Sequence, residues 1–94
     1  MVTAFALLNV VRNRITAVAD TLSDLSEVSE VYSVSGRFDL VAIIRVSDVD
    51  ELAKVVTEKL LVVDGITHSE TLLAFRTYSR HDLERLFSIG SDGL

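Results

Sequence analysis

The chain of 94 residues contains no cysteine. A disulfide framework, a zinc–thiolate centre and a cysteine nucleophile are therefore excluded. A phosphate-cradling glycine loop is also missing. Gly36, Gly65, Gly90 and Gly93 are spaced too irregularly for a dinucleotide fingerprint or a P-loop. No apolar run approaches the roughly 20 residues that a membrane helix needs. The opening stretch, MVTAFALLNVVRNRI, lacks the basic n-region and small-residue cleavage site of a signal peptide. Positive charge is in deficit, with 9 Lys and Arg against 14 Asp and Glu and a formal net charge of -5. Such a surface does not attract phosphate backbones. The expectation is a cytoplasmic chain with no direct nucleic-acid binding and no membrane partner.

Apolar residues are plentiful, at 49% of the chain. That content and this length suit one domain with one modest core. Val2 to Val11 reads as a strand that is apolar on both faces, with Val2, Ala4, Ala6, Leu8 and Val10 on one and Phe5, Leu7 and Val11 on the other. Ile15, Val18, Ala19, Leu22 and Leu25 form a helical stripe. Val28 to Ser35 has the mixed pattern of an edge strand. A short Gly36-Arg37 turn then leads to a second two-sided strand, Phe38 to Val46. Asp48 and Glu51 resemble a capping box before a helix whose stripe is Leu52, Val55, Val56 and Leu60. A last strand is expected over Thr67 to Tyr78 and a short terminal helix over Ser79 to Ile89.

The order β-α-β-β-α-β predicts an α+β, ferredoxin-like sheet of four antiparallel strands with both helices on one face. The first and third strands would be central. The other face would leave Val, Leu, Ile and Phe side chains in water, and a second sheet from another copy would cover them.

Candidate chemistry is sparse. His68 and Glu70 share one face of a strand, but two ligands are too few for a metal centre. Asp48, Asp50 and Glu51 are explained by favourable charge at a helix N-terminus and do not match a calcium loop. His81 falls in the first turn of the expected terminal helix, and no Ser-His-Asp spacing is present. The most informative segment is Ser35-Gly36-Arg37-Phe38-Asp39-Leu40. It reads either as a self-satisfied hairpin turn or as a loop for a small zwitterion, with backbone N–H groups on a carboxylate and Asp39 or a carbonyl on an amine.

Residues Val31 to Val41 resemble the V-x-x-x-x-G-x-[YF]-D-hydrophobic signature of the Lrp/AsnC effector-binding domain, often called the RAM domain. Gly65 to Thr71 resembles its second motif, a turn that leads into the last strand with a threonine. The resemblance spans about residues 2 to 78. It implies the βαββαβ fold, paired into a dimeric αβ sandwich or barrel, with dimers assembling further, for example to an octamer. It also implies an amino-acid effector in clefts where dimers meet. By motif, Gly36, Arg37, Phe38, Asp39 and Leu40 are effector-binding candidates, and Ser69 and Thr71 are secondary ones. Regulators of the family begin with a helix-turn-helix domain, whereas this chain starts at the first effector-domain strand. It therefore resembles the stand-alone form, with residues 1–78 as the effector-binding and oligomerisation domain and 79–94 as a terminal helix and flexible tail.

The function so implied is a stand-alone, oligomeric, amino-acid-sensing module of transcription regulation, with no cofactor and no catalytic group. It would act alone or by mixed assembly with a full-length Lrp/AsnC regulator. Three alternatives share the element order or assembly: a small monooxygenase-like αβ-barrel enzyme, with Asn9, Arg45 and Arg76 as its few polar candidates; an ACT-like regulatory module; and a purely structural assembly unit.

Overall fold

The computed structural model describes residues 1–80. The elements are β1 (Val2–Val10), a single 3-10 turn (Arg12–Arg14), α1 (Ile15–Ser23), β2 (Val28–Ser33), β3 (Leu40–Val46), α2 (Val49–Lys54), a π turn (Val55–Leu60) and β4 (Ile66–Leu73). The strands form one open antiparallel sheet in the order β2-β3-β1-β4. The two-sided strands β1 and β3 are central, and the mixed strand β2 lies at an edge, as their patterns predict. The expected terminal helix falls on residues outside those described, apart from its first two positions.

One face of the sheet carries the core. Ala4, Ala6, Leu8 and Val10 of β1 lie beside Leu40, Ala42, Ile44 and Val46 of β3, all buried. Small alanines at 4, 6 and 42 leave room for the helices. Val18 and Leu22 of α1 and Leu52, Val55 and Leu60 close the cluster from above. Ile15, Ala19, Leu25 and Val56 pack at its margin, so both predicted stripes face the sheet. Val55 and Leu60 are five apart, a spacing that an α-helix would rotate away from one face. Widening one turn to i→i+5 bonding brings both inward.

Helix α2 begins on the predicted cap. Asp48 Oδ1 accepts from the Glu51 N–H at 2.8 Å, and the Glu51 carboxylate accepts from the Ser47 N–H at 3.0 Å and from the Ser47 hydroxyl. The box is thus shifted outward by one residue at its second bond.

Two expectations about strand length are corrected. The connection between β2 and β3 is a loop over 34–39, not a two-residue turn. Strand β4 stops at Leu73 rather than Tyr78, and in its register with β1 residues 77 and 78 have no partner at all. The Ala74 N–H bonds the Thr3 carbonyl at 2.9 Å, and only Val2 and Met1 lie beyond Thr3.

The second face of the sheet presents a different surface. Register places Tyr32, Val41, Leu7 and Glu70 in one row across it, and Glu30, Ile43, Phe5 and Leu72 in the next. Its middle is apolar, and its edge positions are polar at Tyr32, Glu30 and Glu70 and apolar at Leu72. Among the described residues no helix lies on it.

One ion pair ties the segment after α1 to the π turn. Lys59 Nζ donates to Glu27 Oε2 at 2.6 Å, and the Glu27 side chain is only 16% exposed. The lysine ammonium, with the backbone N–H of Glu27 itself, holds the Glu27 carboxyl below its ordinary value of 4.5. A carboxyl depressed in the folded state contributes stability above its unfolded pKa and loses it as pH falls through the folded one. Stability is therefore expected to fall from about pH 4.5 downward. Glu27→Gln should remove part of that slope. Urea unfolding of both proteins at pH 7 and at about pH 3 checks it. An unchanged slope in Glu27→Gln would assign the acid loss to other groups.

Candidate functional site

The loop over 34–39 is pinned by its own chain. Gly36 sits at φ +111°, a conformation that an L side chain rarely adopts, and the place where a Cβ would stand is open space. The Val34 N–H donates to the Asp39 carbonyl at 3.1 Å, and the Asp39 N–H donates to the Leu8 carbonyl at 2.8 Å. Asp39 Oδ2 accepts from the Val10 N–H at 2.8 Å. Asp39 thereby lengthens the β1–β3 ladder by one rung, its carboxylate standing where a backbone carbonyl would. Asn9 Nδ2 donates to the Arg37 carbonyl at 2.7 Å. The backbone amides of Gly36, Arg37 and Phe38 take no part in this pinning.

Strand β4 touches the loop through an aromatic contact. The Phe38 and His68 rings stack with centroids 6.5 Å apart and an interplanar angle of 15°. His68 Nε2 lies 3.7 Å from Glu70 Oε1, and Thr67 Oγ1 donates to the Asn9 carbonyl at 3.2 Å. Register shifts between Asn9 and Val10, where the Asp39 carboxylate arrives.

The motif residues are placed unequally. Gly36 and Arg37 are exposed, and Phe38 and Asp39 are half-buried. Leu40 is fully enclosed, so its side chain belongs to the core. Ser69 lies opposite Leu8 and Thr71 opposite Ala6, which puts both on the helix side of the edge strand. His68, one residue from Ser69, points to the other side. Within one chain the two motifs thus meet through Phe38 and His68, not through Ser69 or Thr71. Asn9 and His68 are the contacts that motif reasoning did not select. Their signal was present: Asn9 is the one polar residue in the second half of an otherwise apolar strand.

Nothing on the sheet converges as a catalytic set. Arg45 lies opposite Thr3, at the far end of the strand from Asn9, and its Nη1 donates to Ser29 Oγ at 2.7 Å. Arg76 is exposed beyond the end of β4. Among the described residues no group of three or more His, Asp or Glu could hold a metal ion. The described residues thus present one pinned loop on a ferredoxin-like sheet, tied to the edge strand β4 through Phe38 and His68.

Comparisons with known proteins identify the family. Residues 3–83 match the model of the Lrp/AsnC ligand binding domain. An uncharacterized HTH-type transcriptional regulator of Bacillus subtilis, YugG, is 32% identical over 75 residues, covering 80% of this chain and 44% of that protein. Among solved structures, TTHA0845 from Thermus thermophilus is 49% identical, with a TM-score of 0.80, over 85% of this chain and all (100%) of that one. Hypothetical protein PHS023 from Pyrococcus horikoshii is 30% identical, with a TM-score of 0.77, over 86% of this chain and 98% of that one. The chain belongs to the Lrp/AsnC ligand-binding domain family, a regulatory family and not a catalytic one. It spans less than half the length of the Bacillus regulator.

Proposed function

We propose that this chain is an oligomeric amino-acid-sensing module that acts in transcription regulation. The observation that carries the reading is the 34–39 loop. Asp39 and Asn9 hold it in one shape, while the amides of Gly36, Arg37 and Phe38 stay outside the pinning bonds. Preformed backbone donors beside a guanidinium suit a carboxylate, and pre-organisation lowers the cost of binding. One carboxylate oxygen of Asp39 is already engaged, so a backbone carbonyl is the better acceptor for the amine.

The apolar open face supports dimerisation. Phe5, Leu7, Val41 and Ile43 would be covered by the same face of a second copy, about 10 Å away, in a two-fold αβ sandwich. Burial at about 25 cal/mol per Å² makes such pairing favourable. Ser69 and Thr71 point away from the loop within one chain. An effector cleft that uses both motifs therefore requires a contact between dimers, in a tetramer, octamer or larger ring. Residues 1–78 would form this effector-binding and assembly unit. Its acidic balance directs any effect on transcription through a full-length regulator of the family.

An amino-acid panel tested by calorimetry, with mass measured by light scattering, decides the matter. Saturable binding of one or a few amino acids is expected, with loss of affinity in Phe38→Ala. Ile43→Asp should yield a folded monomer. A monomeric unsubstituted chain at micromolar concentration would defeat the assembly reading, and silence across the whole panel would defeat the sensing one.

A further inference from the structure

The 34–39 loop is attached to β1 and to β4 by different chemistry. Toward β1 the attachments are hydrogen bonds: Asn9 Nδ2 to the Arg37 carbonyl, the Asp39 N–H to the Leu8 carbonyl, and the Val10 N–H to Asp39 Oδ2. Toward β4 the attachment is ring on ring, Phe38 against His68, with centroids 6.5 Å apart. That spacing is at the long end for aromatic pairs, so the neutral stack holds weakly. Histidine is also the side-chain type whose charge changes between about pH 5 and 8. His68 Nε2 stands 3.7 Å from Glu70 Oε1, and the His68 side chain is 59% exposed. A proton thus has open access and a carboxylate to meet. The other groups around the ring are few. On β1 the residue opposite is Asn9, which does not titrate. In the loop, Asp39 has one oxygen on the Val10 N–H, and Arg37 is exposed. Before β4, Asp64 lies 4.0 Å from Arg14 Nη2.

We infer that His68 is a proton-operated clamp on the 34–39 loop, which closes on Phe38 when the imidazole gains charge and so raises the loop's affinity for a carboxylate. The second half rests on the sensing function proposed above; the first does not. An imidazolium is attracted to the face of the Phe38 ring, a force that the neutral imidazole lacks. It is attracted at the same time to the Glu70 carboxylate, which anchors it on β4. Arg37 opposes the added charge, and Glu70 and Asp39 favour it. Phe38 is thus drawn toward a strand that is itself held, because Thr67 Oγ1 bonds the Asn9 carbonyl while the Asn9 side chain bonds the loop. The amides of Gly36, Arg37 and Phe38 then spend more time in one geometry, and the new positive charge stands beside them. The carboxylate of an amino acid keeps its charge throughout, its reference pKa being about 3.5. The response therefore comes from the protein, and binding tightens as pH falls from about 8 to about 5. By reciprocity, a bound carboxylate favours proton uptake by the chain.

The test uses the full chain, His68→Gln and Glu70→Gln, at a concentration where mass is constant across the pH window. Both substituted positions are exposed, and circular dichroism checks that the fold is kept. Hydrogen–deuterium exchange read by mass spectrometry, corrected for the intrinsic pH dependence of exchange, follows the 34–39 segment without ligand at about pH 5.5 and about pH 7.5. The Glu27 carboxyl, held below 4.5, titrates outside this window. Protection of the loop in the unsubstituted chain should be about threefold to tenfold higher at the lower pH. His68→Gln should lose that difference, and Glu70→Gln should keep only part of it. Equal protection at both pH values in the unsubstituted chain overturns the clamp, and so does a difference that survives in His68→Gln. Calorimetry with the amino-acid panel at the same two pH values tests the second half. Tighter binding at the lower pH, lost in His68→Gln, supports it. Equal affinity beside a pH-dependent loop overturns the link between clamp and binding. Silence across the panel beside a pH-dependent loop overturns the sensing function and supports the clamp alone.

Discussion

Gly65→Ala is expected to destabilise the chain by about 2–4 kcal/mol and to lower its melting temperature by roughly 10–20 °C. Gly65 sits at φ +106°, outside the range where an L residue rests without strain. The added methyl would stand 3.0 Å from Arg14 Cβ and 3.3 Å from Val18 Cγ2. Neither neighbour can move cheaply. Arg14 stands at the junction of the 3-10 turn and α1, and Val18 is fully enclosed. The glycine backbone is also held, because its carbonyl accepts from the Val11 N–H at 2.8 Å. Gly36→Ala provides the control. Its φ is similarly positive, but nothing lies within 4 Å of the new methyl. That variant should lose only about 1 kcal/mol. Thermal melts of the two, followed by circular dichroism, separate crowding from backbone strain. Equal losses would mean that Arg14 and Val18 yield freely.

Asp39→Ala is expected to lose about 2–3 kcal/mol with no ligand present. The variant leaves the Val10 N–H without its acceptor, and Val10 is 7% exposed, so water is a poor substitute. It also frees the loop at the point where β1 and β3 part. Asp39→Asn keeps a carbonyl oxygen in the same place and should recover more than half of the loss. This order decides how binding data must be read. Weak effector binding by Asp39→Ala would report a loosened loop as readily as a missing ligand contact. Asp39→Asn, with the loop intact, isolates the charge. Denaturant unfolding of the three proteins without added amino acid checks the prediction, and an Asp39→Ala protein as stable as the parent would remove Asp39 from its structural role.

Much of the architecture is legible in periodicity. The stripe of Ile15, Val18, Ala19, Leu22 and Leu25 and the alternation in β1 state which surfaces meet, and two-sided apolar strands state which are central. Strand ends are less legible because they depend on neighbours. Thr77 and Tyr78 have strand-forming side chains, but a ladder needs a partner, and β1 supplies none there. The width of the 34–39 loop was hidden for a similar reason. Gly36 announces a tight turn, whereas the actual span depends on Asp39 bonding a strand 29 positions earlier in the chain. The candidate site divides in the same way. Gly36, Arg37, Phe38 and Asp39 are visible as residue types, but the internal use of Asp39 is a tertiary fact. So is the choice of His68, rather than Ser69 or Thr71, as the loop's contact on β4.

The two outer strands have a consequence for how this chain behaves in a crowded solution. On β2, Ser29, Glu30, Tyr32 and Ser33 are exposed, and on β4 so are Thr67, His68, Glu70 and Thr71. Hydroxyls and charges at both margins make a poor template for adding strand after strand, which is the route to fibres. Apart from Leu72 and Leu73 at the end of β4, the greasy rows lie inboard, between these margins, where a broad flat partner can reach them. Such margins disfavour endless sideways extension, a safeguard for a chain that keeps so much apolar surface outside its core.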